Sequence, residues 1–395
     1  MKPMGIASTG NDLPSQRQLF DIPPDIAYFN CAYNAPQLNA SRDALLAGAR
    51  SKSHPWERTA ADFFDNAETI RQLAAELFGG SAEGYAIVPS ASYGMSSAAR
   101  ALEPQLNPGE RILMLAHAFP SEYLPWQRVA AERGCTVEQV ANPGNGEWSG
   151  ALIARIERGV RAVVVPHCHW SHGARLDLAA IGRRCREYGV FLAIDATQSL
   201  GAMPLDIDTI DPDFLVAAGY KWLLAPYGFS LLYVAARWHG ARPLEESWLA
   251  RQGARDFAAL ADYSPHYQPG ARRFDMGEKC IPTLLPGAIA ALQQIREWGV
   301  EAISHRLAHI NRHIAATLQQ AGCELLPEAQ RAPHILGIKL PAHSPADLLG
   351  KLTRKGIYIS RRGDHLRIAP HLHIDARDIS RLETALCELL EKVGG

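Results

Sequence analysis

The sequence predicts an α/β fold: a mainly parallel sheet of seven strands with helices on both faces, followed by a smaller α+β part. Three observations carry this. The middle of the chain alternates short apolar runs with longer stretches of helical period, the order of successive β-α-β units. Several of the runs are rich in Val, Ile and Leu without polar alternation, as in strands covered on both faces. After about residue 240 the pattern gives way to prolines, a long helical stretch and then short strands.

In chain order the apolar runs are YAIVP (85–89), RILMLA (111–116), TVEQVA (136–141), RAVVVPH (161–167), VFLAID (190–195), DFLVAAG (213–219) and FSLLYVA (229–235). Helical patterns fall between them at Ser92–Leu102, Tyr123–Arg133, Leu152–Arg158 and Leu178–Tyr188. Only YKWLLAPYG joins the last two runs, too short for a crossover helix, so FSLLYVA is expected to run antiparallel. A loop-rich zone, Arg242 to Asp275, carries Pro243, Pro265 and Pro269. A helical pattern from Leu284 to about Gln320 follows, with a break near Gly299. Then come HILGIKL (334–340), IYISRR (357–362), HLRIAP (365–370) and a final helix, Ala376–Lys392. The expected division is a large domain over 41–273 and a small one built from 1–40 and 274–395. Whether the first 40 residues pack with the small part or across the cleft is left open.

The chain has 395 residues, enough for two domains. Its 40 Lys+Arg against 41 Asp+Glu give no field for nucleic acid or an acidic membrane surface. The leading MKPMGIASTGNDLPSQRQLF has no apolar core of signal-peptide type, and no run approaches the ~20 residues of a membrane span. Seven scattered cysteines, with no C-x-x-C pair, read as reduced thiols of a cytoplasmic protein.

Ligands of an open parallel sheet sit at the carboxyl ends of its strands. After YAIVP comes SASYGMSS, small residues and hydroxyls opening a helix. That is a place for a phosphate, or simply a Ser N-cap. After RILMLA comes HAFPSEYLPW, where Phe119 could stack on a flat ring or serve the core. Asp195 ends VFLAID, and a carboxylate there needs a cation or strong hydrogen bonds. Lys221 follows DFLVAAGY; burial costs its charge and lowers its pKa toward a usable neutral amine. Pyridoxal phosphate explains all four: a lysine for the Schiff base, an anion-binding helix start, a stacking ring and an acid against the pyridine nitrogen.

These stretches also carry a resemblance. VPSASYGMSSAAR, AHAFPSEYLPW, GARLDLAAIGRRC, FLAIDATQSLGAMPLDI, GYKWLLAPYGFSLLYV, RRFDMGEKC and LRIAPHLH are similar to the class V aminotransferase family of fold-type I pyridoxal phosphate enzymes. That family includes cysteine desulfurases, kynureninases and isopenicillin N epimerase-like proteins. The resemblance implies that Lys221 is the Schiff-base lysine and that Asp195 pairs with the pyridine nitrogen. It implies that Gln198 bonds the phenolic oxygen, while Ala91 (through its N–H), Ser92 and Tyr220 hold the phosphate. Phe119 falls at the stacking position, and Trp170 stands near the ring oxygen where relatives often have Asn. Arg367 matches the arginine that binds the substrate α-carboxylate. Gly277 and Glu278 match a loop that enters the partner subunit's site, which implies a homodimer, although a hydroxyl residue is usual at Glu278.

Desulfurases of the family carry a cysteine on a loop just before the carboxylate-binding arginine. Here the segment reads ISRRGDHLRIAP, with no cysteine and no room for the loop. The expectation is therefore an amino-acid enzyme working through an aldimine and a Cα carbanion: an aminotransferase or side-chain lyase, not a persulfide-forming cysteine desulfurase. An epimerase of the isopenicillin N type is the alternative. A metal-dependent hydrolase using HCHWSH (167–172) stands behind both, without a carboxylate at matching spacing.

Overall fold

The structure is a computed structural model that describes residues 13–341 and 344–390. Most of the leading segment and the last two residues of the expected final helix lie outside them. The strands are β1 (Ala27–Tyr28), β2 (Tyr85–Val88), β3 (Arg111–Leu115), β4 (Thr136–Val140), β5 (Val160–Pro166), β6 (Phe191–Asp195), β7 (Phe214–Ala218) and β8 (Ser230–Val234). They continue with β9 (Glu324–Leu325), β10 (Leu336–Lys339), β11 (Ile357–Tyr358), β12 (Ser360–Arg362) and β13 (His365–Ile368).

The central sheet has seven strands in the order β2-β8-β7-β6-β5-β3-β4. All neighbours are parallel except those of β8, which runs antiparallel to both β7 and β2. The apolar runs thus form the expected sheet. Val163, Val164 and Val165 are all buried, as strands with helices on both faces require. The helix Ala91–Leu102 lies so close to β7 that a Cβ on Gly94 would stand 2.5 Å from a Val216 methyl. Glycine is what seats this helix on the sheet.

Two helices, Asn39–Ser51 and Asp65–Phe78, precede the sheet where the sequence reading places no element. The helix expected at Leu152–Arg158 is Trp148–Ile153 instead. It begins earlier because Trp148 is a core residue, stacked on His169. The long helical pattern splits at Gly299 (φ +80°) into Leu285–Trp298 and Val300–Gln320.

A second sheet, β12-β13-β10-β9, is antiparallel. The N-terminal segment joins both parts. Its β1 pairs with β11, and Cys31 N–H donates to Ala369 O at 3.0 Å. Farther on, Ala35 N–H donates to Tyr220 O at 3.1 Å, beside Lys221.

Candidate active site

Asp195 is the last residue of β6, and the neighbouring β7 ends three residues before Lys221. The strands are in parallel register, Asp195 opposite Val216, so their carboxyl ends open into one crevice. After β7 the chain turns back at once into β8. Gly219 permits this, since a Cβ there would lie 2.7 Å from Phe229 O. Leu224 N–H donates to Lys221 O at 3.1 Å, and Ala225 N–H to Gly219 O at 3.0 Å, so the lysine sits on a closed turn.

One cavity of about 170 Å³ gathers Ser92, Phe119, Asp195, Gln198, Tyr220 and Lys221, with Ala91 and Trp170 on its wall. Every cofactor-contact residue expected from the sequence lines it. Lys221 is 8 % exposed and forms no ion pair among the described residues. Burial lowers its pKa to about 8, against the opposing pull of Asp195, with Arg367 and Arg362 lowering it further. Asp195 is also buried; Thr197 N–H donates to its Oδ1 at 2.9 Å. Burial raises the Asp195 pKa, and Thr197 and Lys221 hold it back.

At the opposite end of the cavity the helix Ala91–Leu102 begins. Ser90 is its cap, accepting from Tyr93 N–H at 3.1 Å, with Ser92 Oγ 2.9 Å from Ser90 Oγ. The N–H groups of Ala91 and Ser92 have no protein acceptor among the described residues, and the positive helix end faces the cavity. Phe119 meets Trp170 edge-on, centroids 5.5 Å apart, and Lys221 Nζ lies 5.7 Å from the Phe119 centroid.

Gln198 is held from several sides. Its Nε2 donates to Ala32 O at 3.0 Å, and its Oε1 accepts from Trp222 Nε1 at 3.0 Å. One N–H of the amide remains for a ligand. Arg367, on β13, is 1 % exposed; its Nη1 donates to Trp170 O at 2.5 Å and its Nε to Ser360 Oγ at 3.3 Å. It lines a mouth that shares Phe119, Trp170 and Lys221 with the inner cavity. Gly277 and Glu278 do not line this chain's cavity: Gly277 N–H donates to Glu245 Oε2 at 2.6 Å, and Glu278 is exposed.

Sequence reasoning missed several wall residues: Ser90, Glu122, Cys168, Tyr227 and, at the mouth, Arg362. Glu122 is fully buried; burial and the nearby Asp195 raise its pKa well above the carboxylate range. The stretch HAFPSEYLPW offered this acid, but only its ring was read. The HCHWSH histidines are spread through packing. His169 and His172 stack at 4.3 Å, and burial lowers them to about 4 and about 3. Among the described residues no three His, Cys, Asp or Glu side chains converge on a metal-sized point.

An anion seat at a helix start, a carboxylate and an amine at adjacent strand ends, and a ring on the wall fit pyridoxal phosphate. They define a pyridoxal phosphate enzyme of fold type I. The chain belongs to the class-V aminotransferase family, whose model matches residues 45–382. It is 23 % identical over 300 residues to a probable cysteine desulfurase of Pyrococcus abyssi, covering 75 % of this chain and 73 % of that one. It is 27 % identical over 372 residues to the uncharacterized aminotransferase YcbU of Bacillus subtilis, covering 91 % and 94 %. The structure of a cysteine desulfurase from Thermococcus onnurineus superposes with a TM-score of 0.82 at 18 % identity over 98 % of this chain and 99 % of that one, a likeness of fold.

These relatives overturn one expectation. The reading as an aminotransferase or side-chain lyase that is not a persulfide-forming desulfurase does not stand, because several relatives, the Pyrococcus protein among them, are named cysteine desulfurases. β12 and β13 are indeed joined by only Gly363 and Asp364, with no cysteine-bearing loop.

Proposed function

We propose that this pyridoxal phosphate enzyme performs desulfurase-type chemistry, breaking the Cβ–S bond of a cysteine-class amino acid. The observation that carries it is the Lys221 amine, without an ion-pair partner among the described residues and with its pKa lowered by burial to about 8, in a cavity shared with Asp195. The cofactor supplies a carbonyl for amine capture and an electron-accepting ring. The desulfurase names of its relatives point to sulfur as the leaving atom.

The chain's own groups divide the work as follows. Lys221 Nζ would hold the cofactor and carry a proton to and from the substrate Cα. Asp195 would keep a proton on the pyridine nitrogen. The N–H groups of Ala91 and Ser92, with the Ser92 and Tyr220 hydroxyls, would hold the phosphate at the helix start. Gln198 would bond the phenolic oxygen, with Phe119 and Trp170 walling the cavity that takes the cofactor. Arg367 would fix the substrate α-carboxylate and with it the orientation of the bonds at Cα.

Among the described residues no helix is long and apolar enough to cross a membrane. We read the enzyme as a cytoplasmic homodimer. None of the seven cysteines forms a disulfide among the described residues, and Tyr33 and Tyr227 at the mouth are 60 % and 75 % exposed, a surface for a second copy to cover. Gly277 and Glu278 would then border the partner's cavity; light scattering checks the dimer.

The test of the reaction is incubation of the holoenzyme with L-cysteine and a thiol reductant. Cysteine and two thiols should give alanine, sulfide and one disulfide in equal amounts. Formation of a keto acid or the D-amino acid in place of sulfide refutes the assignment.

A further inference from the structure

The mouth of the cavity holds more positive charge than one carboxylate explains. Arg362 ends β12 and lies opposite His365 on β13, while Ser360 lies opposite Arg367. Opposed residues of an antiparallel pair share a face, and so do residues two apart on one strand. Arg362 and Arg367 therefore project from the same side of the hairpin, rooted diagonally about 7–8 Å apart. The side chains agree: both arginines line the mouth with Lys221, whereas the intervening Arg361 is exposed.

No acid answers these charges. The mouth has no Asp or Glu on its wall, and neither Arg362 nor Arg367 has a carboxylate partner among the described residues. Arg362 donates Nη1 to Arg361 O at 2.8 Å, and Arg367 bonds only Trp170 O and Ser360 Oγ. Burial lowers the Arg367 pKa to about 9, and the Arg362 charge is the next cause in the same direction. Two guanidiniums on one face of the hairpin without a carboxylate partner destabilise the mouth, and anions relieve that. The cofactor phosphate does not: its seat at Ser90–Ser92 lies in the inner cavity, which neither arginine lines. With Arg367 taken by the α-carboxylate, Arg362 remains for a second anion.

We propose that Arg362 is a specificity residue and that the preferred substrate is an amino acid whose side chain ends in an anionic group. This rests on the reading of Arg367 as the α-carboxylate clamp, and it names the class of side chain that the sulfur chemistry would act on.

Calorimetric titration of the holoenzyme with succinate and with butyrate, which match in length and differ by one charge, tests it. Succinate should bind at least about tenfold more tightly, as a charge-assisted bidentate contact allows. Arg362→Gln should bring the ratio of the two affinities down to about one to three, and Arg362→Lys should retain part of the preference. Equal binding of both acids by the unaltered holoenzyme overturns the proposal, and that comparison needs no variant to fold. Equal weakening of both acids in Arg362→Gln overturns it too. Sulfide release from L-cysteine is read separately. Its absence beside a retained dicarboxylate preference breaks the reaction assignment and leaves the arginine pair standing.

Discussion

Two buried carboxylate–lysine neighbourhoods lie in this molecule, built from the same residue types to opposite ends. Around Asp275 every charge is answered. Its Oδ2 accepts from Arg71 Nη2 at 2.5 Å and from Lys279 Nζ at 2.8 Å, and its Oδ1 from Ile87 N–H at 2.9 Å. Burial alone would raise the Asp275 pKa, but Arg71 and Lys279 hold it below its ordinary value. Around Asp195 and Lys221 the charges are left apart. The two form no ion pair, and burial moves each toward its neutral form. Burial is similar in the two places: Lys279 0 % and Lys221 8 % exposed, Asp275 2 % and Asp195 6 %. Pairing is what separates the two lysines. An amine bonded to a carboxylate is less available as a nucleophile or proton carrier than one left apart.

The contrast can be broken most sharply at the lysines. Lys221→Ala should abolish borohydride labelling by the cofactor and lower turnover by roughly 10³–10⁴-fold, the scale of a lost covalent and proton-transferring group. Lys279→Ala should keep the label. A label that survives in Lys221→Ala and vanishes in Lys279→Ala would exchange the two roles.

Next come the carboxylates, read for stability. Asp275→Asn leaves Lys279 buried without a counter-charge and Arg71 with Glu68 alone, which costs about 3–5 kcal/mol in urea unfolding. Asp195→Asn in the cofactor-free protein should leave stability unchanged or raise it, because a carboxylate whose pKa is raised by burial is itself destabilising when charged. Equal losses in the two variants would dissolve the comparison. For turnover the order reverses: Asp195→Asn should bind cofactor and work roughly 100-fold more slowly, the effect of a lost charge-assisted contact to a buried cation. Near-normal turnover would make Asp195 a structural residue like Asp275.

The smallest effect is in pH. With its pKa lowered to about 8, Lys221 is mostly protonated at pH 6 and mostly neutral at pH 9. Protonated amine cannot attack a carbonyl, so cofactor capture by the cofactor-free protein should rise about tenfold from pH 6 to 7 and level off above 8. A profile still climbing at pH 10 would mean that burial does not lower this amine's pKa.

Lys221 and Asp195 were legible because each costs something where it stands, at the end of a buried apolar strand. The strand runs were legible for a related reason: seven β-branched or Leu-rich segments have few other places to go. What stayed hidden depends on approach between distant segments. Glu122 sits in the first turn of the helix Pro120–Arg133, where an acid is ordinary, and only the fold sets it facing Asp195. Arg362 reads as a strand-end surface residue until the hairpin register turns it to the side of Arg367. The helix over 148–153 was misplaced because LIARIER carries helical period, while the deciding contact, Trp148 on His169, spans a loop and a strand.

The strand order has a consequence for when the site comes into being. β2, which leads to the helix start at Ala91, is zipped to β8, which follows the lysine turn, with Tyr85 opposite Tyr233. Everything from β3 to β7 lies between them in the chain and must already be placed before these two edges meet. Such distant pairing forms late, since the entropy of closing a long loop is met before its contacts can repay it. Cofactor capture during refolding should therefore lag behind the recovery of secondary structure, and the yellow colour of the holoenzyme becomes a clock for the final closure of the sheet.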